Sequence, residues 1–320
     1  MEYNILGRTN LPVSKIGLGT WAYGNNVYGG VSELDGINAI HHAFHNGINL
    51  FDTAPQYGTK IQDGVAEIVL GKALKGIRKE VIIQTKFGRN PTIKDGSSQF
   101  NKERILASVD ESLMRLQTDY IDVLFFHSPF YADEILDDVW EGINEVVTSG
   151  KVRFIGHSIS NFHKTEQMAR QWALDNKIDV VQVVFSLLNR ESESLIKDLS
   201  QYPVGIVARE CLANGFLSGS INRETVFANG TLNSRYTIDE IAERLDQVAK
   251  FEFLIDGDIR NMAQAALRAV IDQTGVNTVL SGAKNKKEID DALTAANANP
   301  FSSQDLMTAR ALLTKNFKAA

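Results

Sequence analysis

Apolar and polar positions alternate in two distinct registers along this chain. Short runs rich in Val, Ile, Leu and Phe recur at Lys15–Gly19, Asn49–Asp52, Val81–Lys86, Tyr120–His127, Val152–Ser158, Val180–Phe185, Gly205–Arg209 and Asn277–Ser281, several of them ending on a polar residue. Apolar runs of that length read as buried strands. Between them lie longer segments with apolar residues three or four positions apart. Glu33–His45 places Ile37, Ile40, Ala43 and Phe44 on one side, and Val65–Leu74 does the same with Ala66, Val69, Leu70 and Leu74. Lys102–Leu116 carries Ile105, Val109, Leu113 and Leu116, and Asp133–Val147 carries Ile135, Val139, Ile143, Val146 and Val147. That spacing is one face of an amphipathic helix.

Strands alternating with helices imply parallel βαβ units. The strand ends Gly19, Asp52, Lys86, His127 and Ser158 follow one another at intervals of 33, 34, 41 and 31 residues, the differences between their numbers. Repeats of that length predict one closed (β/α)8 TIM barrel, a single domain over residues 1–320 with no Pro/Gly/Ser-rich linker to divide it. Two segments fall outside the repeat. Residues 3–13 read as an N-terminal β-hairpin turning near Gly7–Asn10, suited to closing one barrel end. Residues 215–260 form a long insertion between strands 7 and 8, suited to folding over the active face.

Composition narrows the functional classes. A chain of 320 residues, 43% of them hydrophobic, can bury a large core and is not a disordered polymer. Its formal net charge of -6 argues against a general nucleic-acid binder. The one cysteine, Cys211, excludes an intramolecular disulfide framework and a cysteine-rich zinc site. His41 and His45 stand four apart on a helix without the H-E-x-x-H pattern, so no metal site is read. The N-terminus lacks a basic segment followed by an apolar stretch, and no apolar run approaches the roughly 18 residues of a membrane span. These features predict a soluble, cytoplasmic protein.

Gly17-Leu18-Gly19-Thr20-Trp21-Ala22 fits the relaxed dinucleotide fingerprint G-x-G-x-x-G/A. The helix that should follow at once is replaced by the turn-forming Tyr23–Gly30 stretch. The acid ending the second strand, Asp52, comes 33 residues after Gly19, where about 20 is usual. A Rossmann fold is therefore not expected.

In a barrel, catalytic groups gather at the C-terminal ends of several strands. The polar residues closing these strands are Asp52, Lys86, His127, Ser158, Gln182 and Arg209, with Tyr57 just after Asp52. A carboxylate, an amine, an imidazole and a phenol brought together suit proton donation to a carbonyl oxygen. Tyr57 is the expected acid. Lys86, held by Asp52, is expected to make the phenol more acidic, since a nearby ammonium favours the phenolate. His127 is placed to orient the substrate oxygen. Hydride for a carbonyl reduction has to come from a cofactor.

These residues also carry a family resemblance. Asn46-Gly47-Ile48-Asn49-Leu50-Phe51-Asp52-Thr53-Ala54-Pro55-Gln56-Tyr57-Gly58 resembles the aldo-keto reductase signature around its Asp and Tyr. Gln84-Thr85-Lys86-Phe87-Gly88 resembles the family's lysine strand, and Tyr120–Pro129 its histidine strand. Gly150–Gly156 with Ser158, Gln182 with Ser186–Arg190, and Leu280–Lys284 continue the match in order along nearly the whole chain. The segment Leu232–Tyr236 is similar to one in the longer-loop bacterial branch, whose reductases act on sugars and small aldehydes.

The resemblance implies a barrel that binds NADPH in an extended form. It implies catalytic roles for Asp52, Tyr57, Lys86 and His127, with Tyr57 as general acid. It places Ser158 and Gln182, together with Asn161, at the nicotinamide carboxamide, and Arg209 beside the ring. Gly19 and Thr20 fall near the ribose, and Gly282, Lys284, Lys286 and Lys287 near the adenosine phosphates. Two stretches depart from the pattern. Gly156-His157-Ser158-Ile159-Ser160-Asn161-Phe162 is longer than the usual Gly-x-Ser-Asn-Phe. Glu288 and Asp291 add acids near the phosphate segment, which leaves NADH open beside NADPH. Trp21, Tyr23, Tyr28, Phe87 and Phe130 sit beyond strand ends, with Trp21 and Tyr23 the expected substrate contacts. A small carbonyl compound is the expected partner. The alternatives are a cofactor-binding regulatory subunit with little turnover and an unrelated barrel isomerase or hydrolase.

Overall fold

Each apolar run forms a strand within about one residue of the limits its sequence suggests. In the computed structural model, which describes residues 1–24 and 30–317, a hairpin of β1 (Tyr3–Ile5) and β2 (Pro12–Ser14) comes first. The strands β3 (Ile16–Gly19), β4 (Leu50–Asp52), β5 (Ile82–Phe87), β6 (Ile121–His127), β7 (Val152–Ser158), β8 (Val180–Val184), β9 (Gly205–Arg209) and β10 (Thr278–Ser281) follow. All pair in parallel, and β10 closes against β3 and β9 to complete the barrel. This is the expected TIM barrel rather than an open dinucleotide-binding sheet. Tyr28 lies outside the described residues.

Parallel pairing brings a helix back after each strand. After the single turn α1 (Trp21–Gly24), these helices include α2 (Glu33–His45), α3 (Val65–Ala73), α4 (Lys102–Leu116) and α5 (Val139–Thr148). The chain continues with α6 (Phe162–Leu174), α7 (Glu193–Leu199), α8 (Ile238–Ala249), α9 (Met262–Ile271), α10 (Lys286–Asn297) and α11 (Ser303–Leu312). Several of their starts carry side-chain caps. Asn101, Asn261 and Asn285 accept the third backbone N–H of α4, α9 and α10, and Thr237 with Glu240 forms a reciprocal capping box on α8.

The segment expected to be helical from Asp133 departs from that reading. Ala132–Glu134 makes a single 3-10 turn, Ile135 is extended, and the helix begins only at Val139. Ile135 bridges in parallel to Phe100, and Leu136 donates its N–H to the Phe100 carbonyl at 2.9 Å. That pairing holds the backbone extended where periodicity alone suggests a helical turn.

The barrel interior has an apolar floor and a polar upper layer. Leu6, Leu11 and Val13 of the hairpin region pack with Leu50, Ile82, Val123, Phe125, Val180, Val207 and Leu280. The hairpin thus plugs the N-terminal end, as its position suggests. Asn49 accepts the Ser14 N–H and donates to the Pro12 carbonyl, and Asn277 donates to the Ile5 carbonyl, so the plug is tied down by hydrogen bonds. Gly156 is needed here, because a Cβ would lie 2.4 Å from the Phe125 ring. The insertion builds a second apolar cluster. Phe216, Leu217, Ile241, Phe251 and Leu254 pack on Leu187 and Leu188, which follow β8, and on Phe317.

On the outer, helix-facing side of β7, His157 sits fully buried against Phe126 and Trp172. Among the described residues neither ring nitrogen has a hydrogen-bond partner, and burial pushes the imidazole down to about 3. The folded protein therefore holds a neutral ring, while the unfolded chain protonates it near pH 6.5. Its stabilising contribution is full above that value and is lost as pH falls toward 3, by about 1.4 kcal/mol per pH unit. His157→Phe keeps the ring and removes the proton site. Urea unfolding of both proteins at pH 7.5 and pH 5 should show the variant gaining on the wild type by about 2 kcal/mol at the lower pH. An unchanged difference would mean that His157 finds a partner in solution.

Candidate active site

The mouth of the barrel is organised around one buried ammonium group. Lys86 on β5 is 1% exposed, and its Nζ donates to Asp52 Oδ1 at 2.9 Å, to Asp52 Oδ2 at 2.7 Å and to the Thr53 carbonyl at 2.9 Å. Tyr57, in the loop after β4, brings its hydroxyl oxygen to 3.2 Å of the same Nζ. The ammonium donates here, so the phenol keeps its own O–H to offer elsewhere. His127 at the end of β6 stands edge-on to the Tyr57 ring, with centroids 5.9 Å apart. All four expected catalytic residues are therefore brought together.

A second row of polar groups continues around the mouth. Ser128 Oγ donates to Ser158 Oγ at 3.2 Å, and Ser158 Oγ donates to Gln182 Oε1 at 3.0 Å. Gln182 Nε2 then donates to Asp52 Oδ1 at 2.9 Å. The register explains the chain of contacts: His127 pairs with Ser158, and Ser158 with Gln182, so their side chains point the same way from adjacent strands. The Asp52 carboxylate thus serves both Lys86 and the Ser158–Gln182 pair.

Electrostatics revise one expectation. Burial, then the Asp52 carboxylate, holds the Tyr57 phenol well above its ordinary value, whereas an ammonium-assisted lowering was expected. The reason is local. Asp52 accompanies Lys86 at bonding distance, so the phenol meets a neutralised pair in a low-dielectric pocket rather than a lone cation. Burial also pushes Lys86 below the usual lysine range, with Asp52 pulling the other way. His127 is held well below its ordinary value by burial and by the charges of Lys86, Arg209 and Arg89. The resting site is thus a protonated phenol beside a neutral imidazole, whose Nδ1 has no partner among the described residues.

The remaining sequence candidates divide. Trp21 lies stacked over Tyr57 at 5.9 Å and forms a wall of the mouth. Tyr23 turns inward: it is 4% exposed, its hydroxyl donates to the Ala283 carbonyl at 2.7 Å, and it packs the first loop against the last. Phe87 is buried with Phe100 and Phe126 in the layer between strands and helices. Arg209 pairs with Glu210 and donates to the Ile159 carbonyl at 3.0 Å and to Ser160 Oγ at 2.7 Å, fixing the lengthened loop after β7. Asn161 caps α6 by position without a side-chain bond to it. Thr20 is buried, donating to the Asp52 carbonyl at 3.0 Å. Gly19, at the end of β3, and Gly282, just past β10, leave room: a Cβ at Gly282 would meet nothing within 4 Å, and one at Gly19 only the Ser281 carbonyl at 3.6 Å. The row of hydroxyls that ends on the Gln182 amide, and the side-chain-free ledge, fit an extended nicotinamide cofactor.

Beyond β10, Lys284 donates its N–H to Glu288 Oε2 at 2.8 Å, and Asn285 Nδ2 donates to Glu288 Oε1 at 2.9 Å. Lys287 reaches Asp291 at 3.3 Å, and Lys286 is exposed. The periodicity of the sequence does not single out Arg89, which the structure sets against the backbone of His127. Only its place three residues after Lys86 hints at it.

Comparison with known proteins agrees with this fold. The profile of the Aldo/keto reductase family matches residues 15–314. The aldo-keto reductase YhdN of Bacillus subtilis is 32% identical over 299 residues, covering 91% of this chain and 87% of that protein. The NADH-specific methylglyoxal reductase of Escherichia coli is 29% identical, covering 92% of this chain and 93% of its own. Among solved structures, the aldo-keto reductase AKR11C1 from Bacillus halodurans superposes with a TM-score of 0.77 at 25% identity, over 98% of this chain and 97% of that one. With a profile matching nearly its whole length and a closed eight-stranded barrel beneath it, this chain belongs to the aldo/keto reductase family of oxidoreductases.

Proposed function

We propose that this protein reduces an aldehyde or ketone, a sugar or another small carbonyl compound, with Tyr57 as the proton donor. The observation that carries the reading is the Tyr57 hydroxyl at 3.2 Å from a Lys86 ammonium already held by Asp52. A bound nicotinamide would supply hydride to the carbonyl carbon. Ser158 and Gln182 would hold its carboxamide, with Asn161 nearby. Arg209 would flank the ring, Gly19 and Thr20 the ribose, and Gly282, Lys284, Lys286 and Lys287 the phosphates. The substrate oxygen lies between Tyr57 and His127 and receives a hydrogen bond from the neutral imidazole. As negative charge grows on that oxygen, the phenol passes its proton to it. The phenolate left behind is stabilised by the Lys86 ammonium, whose attraction grows with the charge. A phenol held protonated at rest is the form that this step needs. Trp21 bounds the substrate side.

NADPH is the cofactor that the family resemblance implies. One observation favours NADH instead: the Glu288 carboxylate occupies the segment expected to meet the adenosine phosphates and takes up the Lys284 N–H. A carboxylate there repels a 2′-phosphate, while Lys286 and Lys287 attract it. The Escherichia coli relative named as NADH-specific is consistent with the second reading.

Two measurements test these readings. Tyr57→Phe should lower kcat by at least about a hundredfold with an aromatic aldehyde, as loss of a general acid does, and leave cofactor affinity within about threefold. Retained turnover would assign the proton elsewhere. Tight binding without turnover in the wild type would favour the regulatory reading. Titration of intrinsic fluorescence with each cofactor decides the second point. If Glu288 governs, the wild type binds NADH at least about tenfold more tightly than NADPH, and Glu288→Arg narrows or reverses that ratio. A wild type that prefers NADPH would show the lysines outweighing the carboxylate.

A further inference from the structure

We infer that Arg89 is a positioning residue for His127, holding the strand end from which the imidazole projects and, through Ser128, the hydroxyl row beside it. This rests on the reading of His127 given above. The chain reverses sharply after β6. Ser128 sits at a φ of 49°, in the left-handed region that non-glycine residues adopt rarely, and its N–H donates to the Phe126 carbonyl at 3.0 Å. At this turn the carbonyls of His127 and Ser128 both accept from one side chain. Arg89, three residues beyond Lys86 on the neighbouring strand, supplies the donors. Its Nε donates to the His127 carbonyl at 3.3 Å and its Nη2 to the Ser128 carbonyl at 2.9 Å.

The guanidinium is itself fixed on its other sides. Nη2 also donates to Glu134 Oε2 at 3.0 Å, and Glu134 Oε1 accepts the Phe130 N–H at 3.3 Å. The Phe130 ring lies 3.8 Å from the guanidinium carbon. Residues 127–134 are therefore gripped at both ends by one Arg–Glu pair. The held turn then aims Ser128 Oγ at Ser158, whose next partner is Gln182, and Gln182 reaches Asp52. A planar fork that spans two adjacent carbonyls is a geometry arginine has and lysine lacks. Without it the turn has no other side-chain donor among the hydrogen bonds of the described residues, and the imidazole loses its fixed direction.

The test combines an NMR readout on cofactor-free protein with kinetics. In histidine-labelled wild type at neutral pH, the His127 resonance is identified by its disappearance in His127→Gln. In Arg89→Met, which keeps the aliphatic stem, and in Arg89→Lys, that resonance should move or broaden while circular dichroism stays that of the folded barrel. The kcat of Arg89→Met should fall by about ten- to a hundredfold, as for a misplaced catalytic group, with cofactor Kd within about threefold. Free guanidinium added to Arg89→Ala should restore part of the rate, which a purely structural loss would not allow. An unmoved His127 resonance in both Arg89 variants overturns the inference. So does a kcat within about twofold of wild type while His127→Gln is inactive. If His127→Gln instead turns over normally, the catalytic role of His127 falls, and a displaced resonance in Arg89→Met still upholds the positioning.

Discussion

Burying the Lys86 ammonium inside a barrel floored with hydrocarbon requires an acceptor for each of its protons, and the mouth of this protein is arranged around that requirement. An unpaired ion at such depth costs several kcal/mol even after relaxation. Asp52 and the Thr53 carbonyl offset it from one strand end, and Tyr57 completes the shell from the loop that follows. The carboxylate in turn has a lone pair to satisfy, and Gln182 does so from the far side of the barrel. A single buried charge thus recruits β4, β5 and β8 into one polar layer. It also makes that layer intolerant of change, because removing any partner leaves a charge or a dipole uncompensated.

The same burial sets the chemistry of the site. A carboxylate at bonding distance cancels the long-range effect of the ammonium, so the phenol rests in its protonated form. Burial, and then the charges of Lys86, Arg209 and Arg89, keep His127 neutral. Both groups are held further from their charged forms than their residue types alone would place them. The Arg89–Glu134 pair and the left-handed turn at Ser128 extend the order outward, from the buried polar groups to the loop that follows His127.

Much of the architecture was legible in the chain because barrel strands and their helices announce themselves by period. Val152–Ser158 and Gly205–Arg209 coincide with their expected limits residue for residue. Reading failed where a long-range pairing overrode a local pattern. Ile135 has helical spacing but is held extended by Phe100, and no local rule reports that bridge. Tyr23 stands beyond a strand end like Trp21, yet one stacks on Tyr57 while the other donates to the Ala283 carbonyl. Which of these two aromatic residues faces the mouth depends on the single turn of helix that carries them both.

The sequence by itself determined the order of strands and helices, the polar residues that close the strands and the family to which they point, since these follow from periodicity and from residue type at fixed intervals. Only the tertiary structure decided the acidity of Tyr57, the sharing of Asp52 between Lys86 and Gln182, and the grip of Arg89 on the His127 backbone. Each of those is a distance between atoms far apart in the chain. Such distances are fixed by barrel closure and by the shear between strands, quantities that no single stretch of sequence carries.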